Sequence, residues 1–385
     1  MKNETHRLGD YIREVNVRNR ELRVNLSQGI CNDKYFQNPK QVADNPETHK
    51  IVRTGQFAYN RATTRNGDKL SIALRQGPDC TVSAAYQVFE VSRPDLLLPE
   101  YLMMWFKRPE FDRLALFYSH GSAHEFFEWE SMCDVQLPVP SIERQREIVS
   151  EYETLTRRIR LNEQMIEKLE ATAQVLYRHT FVDNIDKQNL PQGWRMGTLG
   201  EICEIHTDSI SSKDKYTGIY YLDSSSVTEN RFDAYQHLII GKDEIPSRAK
   251  RKVKNNDIVY STVRPNLKHY GIIKGDVSSV VVSTAFSVIR SNTPNISNEL
   301  LYLILTDNAI TEILQGIAEM SKATYPSITS DNITELKIIL PKQMDNAFSE
   351  LNWSLKQIFD NIAIKHKENV KLTELQSLLL AKMGQ

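Results

Sequence analysis

The chain reads as an α+β protein: two tandem mixed α/β domains, separated and followed by long helices that form an antiparallel coiled coil with pseudo-twofold symmetry. Three observations carry that expectation. A stretch in mid-chain, Ile142–Phe181, places apolar residues at alternating steps of four and three, a second such stretch closes the chain, and short motifs ahead of each occur twice in the same order. The expected division is a globular segment at 1–141, a helix at 142–182, a linker at 183–195, a second globular segment at 196–342 and a helix at 343–385.

The repeat sets the order of elements. Arg7-Leu8-Gly9-Asp10 opens the first half and Thr198-Leu199-Gly200-Glu201 the second. Residues 52–59 and 253–260 each run from Val through a polar turn into a β-type run ending in Tyr, and 82–86 parallels 282–286. Single strands are expected at 258–263 and 280–289, and single helices at 98–116 and 298–316. Each half then closes on a strand ending in proline, at Pro138 and Pro341. The linker carries Asn184, Asp186, Pro191 and Gly193, all turn or breaker residues.

In the first helix the seam is Ile148, Tyr152, Leu155, Ile159, Ile166, Leu169, Ala173 and Leu176, broken by Asn162. In the second it is Phe348, Leu351, Leu355, Ile358 and Ile362, resuming after Lys365 and Asn369 at Leu372, Leu375, Leu379 and Met383. A stripe this narrow calls for a partner helix, and antiparallel pairing would put the two domains at opposite ends of a rod. About 40 helical residues span ~60 Å. Half-sites on one face of B-DNA recur every ~34–36 Å, so two domains on such a rod could read two short DNA segments.

Length and composition fit two soluble domains: 385 residues, 40% hydrophobic and 25% charged. No apolar run approaches the ~18 residues of a membrane span, and the polar start lacks a secretory signal, so a cytoplasmic location is expected. Cys31, Cys80, Cys133 and Cys203 lie far apart, which reads as reduced thiols rather than a zinc site or disulfide framework.

The formal net charge is only −1, but the charge is uneven. Lys50, Arg53, Arg61, Arg65, Lys69 and Arg75 face Asp68 alone along the chain, and a second basic run extends from Lys242 to Lys274. Within these runs Arg61, Arg65, Lys69, Arg264, Asn266 and Lys268 are the expected DNA contacts. Arg and Asn pair bidentately with guanine and adenine edges, whereas Lys holds phosphates. Second loops at 119–124 and 321–325 add His120, Ser122, Lys322 and Tyr325 as candidates.

Catalytic chemistry is not legible. The sequence has no Gly-rich phosphate loop, no dinucleotide fingerprint and no Asn/Asp-Pro-Pro-aromatic stretch for a flipped base. His120 and His124 flank Gly121 and Ser122 and read as loop residues rather than metal ligands, and Asp223 with Ser224, Ser225 and Ser226 reads as a turn.

Leu190-Pro191-Gln192-Gly193-Trp194-Arg195, followed by Leu199-Gly200-Glu201-Ile202, resembles the junction before the second target-recognition domain of specificity subunits of type I restriction-modification systems. The segment from Asp257 through Arg264-Pro265-Asn266-Leu267 is similar to that family's strand and loop, as is Pro138-Val139-Pro140 followed by Gln145 and Ile148. The resemblance covers essentially the whole chain. It implies a non-catalytic subunit whose two target-recognition domains read the halves of a split, asymmetric DNA site. Its helices would set the unread spacer and dock two methyltransferase subunits that supply S-adenosylmethionine, with a restriction (motor-nuclease) subunit in some systems. The seam residues Ile148, Leu155, Ile159, Leu169, Leu176, Leu351, Leu355, Ile358, Leu372 and Leu379 are then the expected partner and coiled-coil positions. The first half departs from the pattern at Asn60-Arg61-Ala62, and no Gln-x-x-Ile head follows Pro341. The rival reading is a coiled-coil scaffold that binds protein partners.

Overall fold

A computed structural model describes residues 5–39, 45–62, 69–119, 126–183, 185–186, 188–211, 213–321, 325–343 and 346–384. The chain forms two compact units, Met1–Leu161 with Glu368–Gln385, and Asn162–Lys367. Each long helix is therefore shared, one part in each unit, so the compact units cut across the five segments expected from the sequence.

In the first unit a four-stranded antiparallel sheet runs in the order Ile12–Val15, Tyr86–Val91, Phe57–Asn60, Ile72–Leu74. Alternation along the second-listed pair explains its place. Phe57, Tyr59 and Phe89 face the helical side, where Phe57 stacks on Phe89 at 4.9 Å and meets Phe106 edge-on at 5.7 Å. Ala58 and Val88 face the other way, into a smaller core with Val52, Cys80 and Val82. The sheet is covered on both faces, as its unbroken apolar strands require.

The second unit repeats this sheet in the order Cys203–His206, Phe286–Ser291, Ile258–Ser261, Tyr270–Ile272. Ile258 and Tyr260 point to the helical core, and Val259 and Val288 to the opposite one. A second sheet, Gln236–Ile239, Gly218–Leu222, Val280–Ser283, Ala249–Lys252, covers that opposite side.

Three expectations need correction. The strand expected at 280–289 is two strands in two sheets, because the chain turns after Ser283, whose Oγ accepts a bond from the Ala285 N–H at 3.3 Å. The helices expected at 98–116 and 298–316 are pairs: Pro99–Phe106 with Pro109–Ser119, and Asn298–Leu305 with Asn308–Glu319. Proline restarts the first pair and an Asp307 cap on the Ala309 N–H, at 2.9 Å, restarts the second. Trp194 and Arg195, expected in the linker, open the strand Trp194–Thr198, which pairs with Lys337–Pro341. No single described helix is long and apolar enough to cross a membrane.

The long helices run Ile142–Phe181 and Asn346–Lys382. In the first unit Thr156 accepts from Gln376 at 2.7 Å and Arg158 pairs with Glu368 at 2.6 Å, while Ile148 and Leu379 share a core, so the pairing is antiparallel. In the second unit Phe181 meets Phe348 at 5.7 Å, and Ala173 and Tyr177 share a core with Leu351, Leu355 and Phe359. The seam itself is wider than the sequence reading. Of the seam positions, Tyr152, Ile166, Ala173, Leu351, Leu355, Ile362 and Met383 are buried and Ile148, Leu155, Ile159, Leu169, Leu176, Ile358, Leu372 and Leu379 half-buried, while Val149 and Tyr177, outside the seam read from sequence, are buried too. Each helix serves a globular core as well as its partner helix, so its apolar face exceeds a two-in-seven seam. Leu375, placed on the seam from sequence, is exposed.

Both long helices carry an amide lock, buried at Gln145 and half-buried at Asn352. Gln145 donates to the Leu96 and Pro140 carbonyls at 2.7 and 2.8 Å and accepts from the Leu98 N–H at 2.9 Å. In the second unit Asn352 does the same work, donating to the Asn295 and Phe348 carbonyls at 2.8 and 2.9 Å and accepting from the Ser297 N–H at 2.8 Å. The head that sequence does not reveal after Pro341 is Asn352, inside the helix rather than at its start.

Leu355 is fully enclosed in the second unit's core. Leu355→Ala should lower unfolding free energy by about 2–5 kcal/mol in urea titration, whereas Leu375→Ala should stay within about 0.5 kcal/mol. Equal effects would contradict this packing.

Candidate nucleic-acid interface

The candidate loops leave the ends of two equivalent strands. Ile258 pairs with Ile289 as Phe57 pairs with Phe89, which fixes the correspondence between the halves. Beyond the strand Ile258–Ser261 the backbone is pinned: Thr262 N–H donates to Ala285, and Ile328 N–H to Thr262, at 2.8 and 2.9 Å. Arg264 follows in the left-handed region, φ 48°, and donates its N–H to the Pro326 carbonyl at 3.0 Å. Pro265–Leu267 forms one 3-10 turn, closed by Lys268, also left-handed at φ 56°. Two non-glycine residues in this region store local strain, of the kind that surrounding structure holds at functional sites.

The turn presents Arg264 and Asn266 to solvent. The Arg264 guanidinium lies 5.5 Å from the ring centre of exposed Tyr325, and the Asn266 N–H donates to Gln315 at 3.1 Å, leaving the side-chain amide outward. No carboxylate among the described residues lies within ion-pair distance of Arg264. Lys268 is committed to Glu229 at 2.8 Å.

The first half builds a related, shifted site. Phe127 N–H donates to the Arg61 carbonyl at 2.9 Å, the bond that Ile328 makes to Thr262, so Arg61 corresponds in backbone register to Thr262 rather than to Arg264. Its guanidinium covers Phe126 at 5.3 Å and pairs with Glu128 at 3.2 Å. Lys69 sits 3.4 Å from Asp33. Arg65, His120, Ser122 and Lys322 lie outside the described residues.

Counting cations along the chain overstated the surface charge. Lys50 and Arg75 are buried, and Lys274 is held between Glu299 and Asp360 at 2.6 and 2.8 Å. Burial, aided by Arg18, pushes the Lys50 ammonium below its usual pKa, and Arg75 covers Phe36 at 5.2 Å while donating to the Pro78 carbonyl. Those still outward in the second half include Lys242, Arg248, Lys250, Lys254 and Arg264.

Among the described residues no three metal-ligating side chains cluster. Asp223 caps a 3-10 turn, Ser224–Ser226, by accepting from Ser225. The four cysteines are free, and burial pushes the thiols of Cys80 and Cys203 up to about 11 and about 12.

Residues 191–374 match the family model of the type I restriction modification DNA specificity domain. This segment, a little under half of the chain, is similar to that DNA specificity domain. The chain is 30% identical over 186 residues to the type I restriction enzyme HindI specificity subunit of Haemophilus influenzae, a match spanning 44% of this chain and 39% of that one. It is 22% identical over 312 residues to the MjaIX specificity subunit of Methanocaldococcus jannaschii, 75% of this chain and 69% of the relative. Its fold is similar to the crystal structure of the type-I restriction-modification system S subunit from M. genitalium, with a TM-score of 0.61 at 12% identity over 99% of this chain and 95% of that one.

Beneath the first loop, the buried Tyr59 hydroxyl has no hydrogen-bond partner among the described residues, and desolvation raises its pKa far above the usual tyrosine range. Tyr59→Phe should therefore be neutral or stabilising by about 1 kcal/mol, whereas Tyr59→Ala should cost about 3–5 kcal/mol. Chemical denaturation of both variants checks this, and a destabilised Tyr59→Phe chain would reveal a partner for the hydroxyl.

Proposed function

We propose that the chain is the DNA sequence-specificity subunit of a type I restriction-modification complex, each unit reading one half of a split, asymmetric site. The observation that carries this reading is the loop of Arg264, Pro265 and Asn266: a guanidinium and an amide, both outward, on a strained, backbone-pinned turn within a matched DNA specificity domain. Such side chains suit base edges, and a preformed turn spares the entropy of ordering them. Arg61 offers the first unit a related group at a shifted register, which suits two units reading different bases on similar scaffolds.

The chain itself performs no chemistry in this reading. Two methyltransferase subunits would dock along the long helices, bring S-adenosylmethionine and methylate adenine, with a restriction subunit joining in systems that have one. The half-buried and exposed helix surface, including Leu161, Met165 and Val175, supports such docking.

Arg264→Ala should weaken binding at one half-site by about 1–3 kcal/mol and relax its sequence preference, leaving the other half-site unchanged. Titration against duplexes mutated in either half measures this, and uniform weakening over all sequences would argue for phosphate contact alone. Binding should also fall steeply with salt, and a flat salt response would favour the protein-scaffold reading. Leu155→Glu should reduce co-purification of the methyltransferase subunits, and full retention would remove that part of the seam from docking.

A further inference from the structure

The two units differ at one equivalent place in a way the DNA reading does not use. In the second unit, Lys274 follows the strand Tyr270–Ile272 and bridges Glu299, early in one helix, to Asp360, eight residues beyond the amide lock at Asn352. Sheet register puts Gln76 at the Lys274 position, since Leu74 pairs with Phe57 as Ile272 pairs with Ile258. Glu100 stands where Glu299 does, and Glu153, eight residues beyond Gln145, where Asp360 does. No lysine bridges this carboxylate pair, and the place opens into a cleft of about 490 Å³.

That cleft carries an excess of positive charge despite its two glutamates. Lys34 and Arg75 line it but are engaged elsewhere, Lys34 with Asp112 at 2.7 Å and Arg75 over Phe36. Lys107, Arg157 and Arg160 also line it, and among the described residues none has a carboxylate within ion-pair distance. Lys107 is half-buried against the Tyr152 ring at 5.1 Å, and burial lowers its pKa. An ammonium desolvated without a counter-charge destabilises the fold until an anion supplies one. Met103, Met104 and Tyr152 give the cleft an apolar wall, and its volume suits a small molecule rather than a lone ion.

We propose that this cleft binds a small phosphate-bearing molecule, its phosphate held by Lys107, Arg157 and Arg160 and its body resting on Met103, Met104 and Tyr152. Glu100 and Glu153, which also line the cleft, accept hydrogen bonds from donors on that body. The site lies apart from the Arg61 loop and does not depend on which DNA sequence, if any, the chain reads.

The test is calorimetric titration of the full chain with adenosine 5′-monophosphate, pyrophosphate and adenosine, with thermal unfolding followed in parallel. The monophosphate should bind saturably and raise the unfolding midpoint, pyrophosphate should bind more weakly, and adenosine should not bind. Lys107→Met keeps the apolar stem over Tyr152 and removes the unpaired ammonium, so it should unfold at or above the parent's midpoint while losing monophosphate affinity at least about tenfold. Arg160→Gln, at an exposed helix position, should weaken binding in the same direction. No saturation by either phosphate up to about 10 mM, or unchanged affinity in both variants, would overturn the proposal. A duplex arm separates the sources: monophosphate binding that persists in excess duplex DNA supports a small-molecule site, whereas competitive displacement would assign the cleft to the DNA backbone and overturn it.

Discussion

The architecture depends on a side-chain amide in the first turns of each long helix, buried at Gln145 and half-buried at Asn352. Gln145 and Asn352 each make three hydrogen bonds to the chain around them, tying the helix to the segment that leads into the preceding domain's first helix. Losing the buried Gln145 amide would strand backbone groups away from water, at about 1–3 kcal/mol for each unsatisfied group. Shape alone could hold a helix against a sheet, but it would leave the helix free to slide by a turn. A directional amide bonded to two backbone groups across the gap selects one register. In each unit that register sets where the globular part stands along the helix, the quantity on which reading a spaced site would turn.

Above the lock, each unit uses its central strands on both faces. Phe57 and Tyr59, or Ile258 and Tyr260, bind the helical core, while Ala58 or Val259 binds the other layer. A strand committed on both faces cannot shift by one residue without exposing its whole apolar set. The loops that follow inherit that rigidity, which is how a left-handed Arg264 can be held on an exposed turn.

The units share a frame but diverge in the layer behind the main sheet, four-stranded in the second unit and two pairs of strands in the first, and in what they present. The sheet order, the helix pairs and the amide locks repeat. The loop cations do not, since Arg61 is displaced in register from Arg264 and is shared with Glu128. The cations near the helices also differ, with Lys274 bridging two carboxylates in one unit and Gln76 leaving them apart in the other.

Sequence by itself determined the duplication, the two long helices and the position of the loop at Arg264, because hydrophobic period and repeated motifs are local quantities written along the chain. It also carried the family resemblance, borne mainly by the stretch from Pro191 to Leu267. Tertiary structure alone decided which cations are available. Lys50, Arg75 and Lys274 look like surface charge in a linear count but are buried or bridged by residues distant along the chain. It alone decided that Asn352 rather than a residue near Pro341 heads the last helix, and that Val149, Tyr177 and Phe181 carry burial that a strict seam would deny them. The physical reason is the same in each case. Desolvation and hydrogen-bond partnership depend on what lies across the gap in space, and nothing in the spacing of residues along the chain records it.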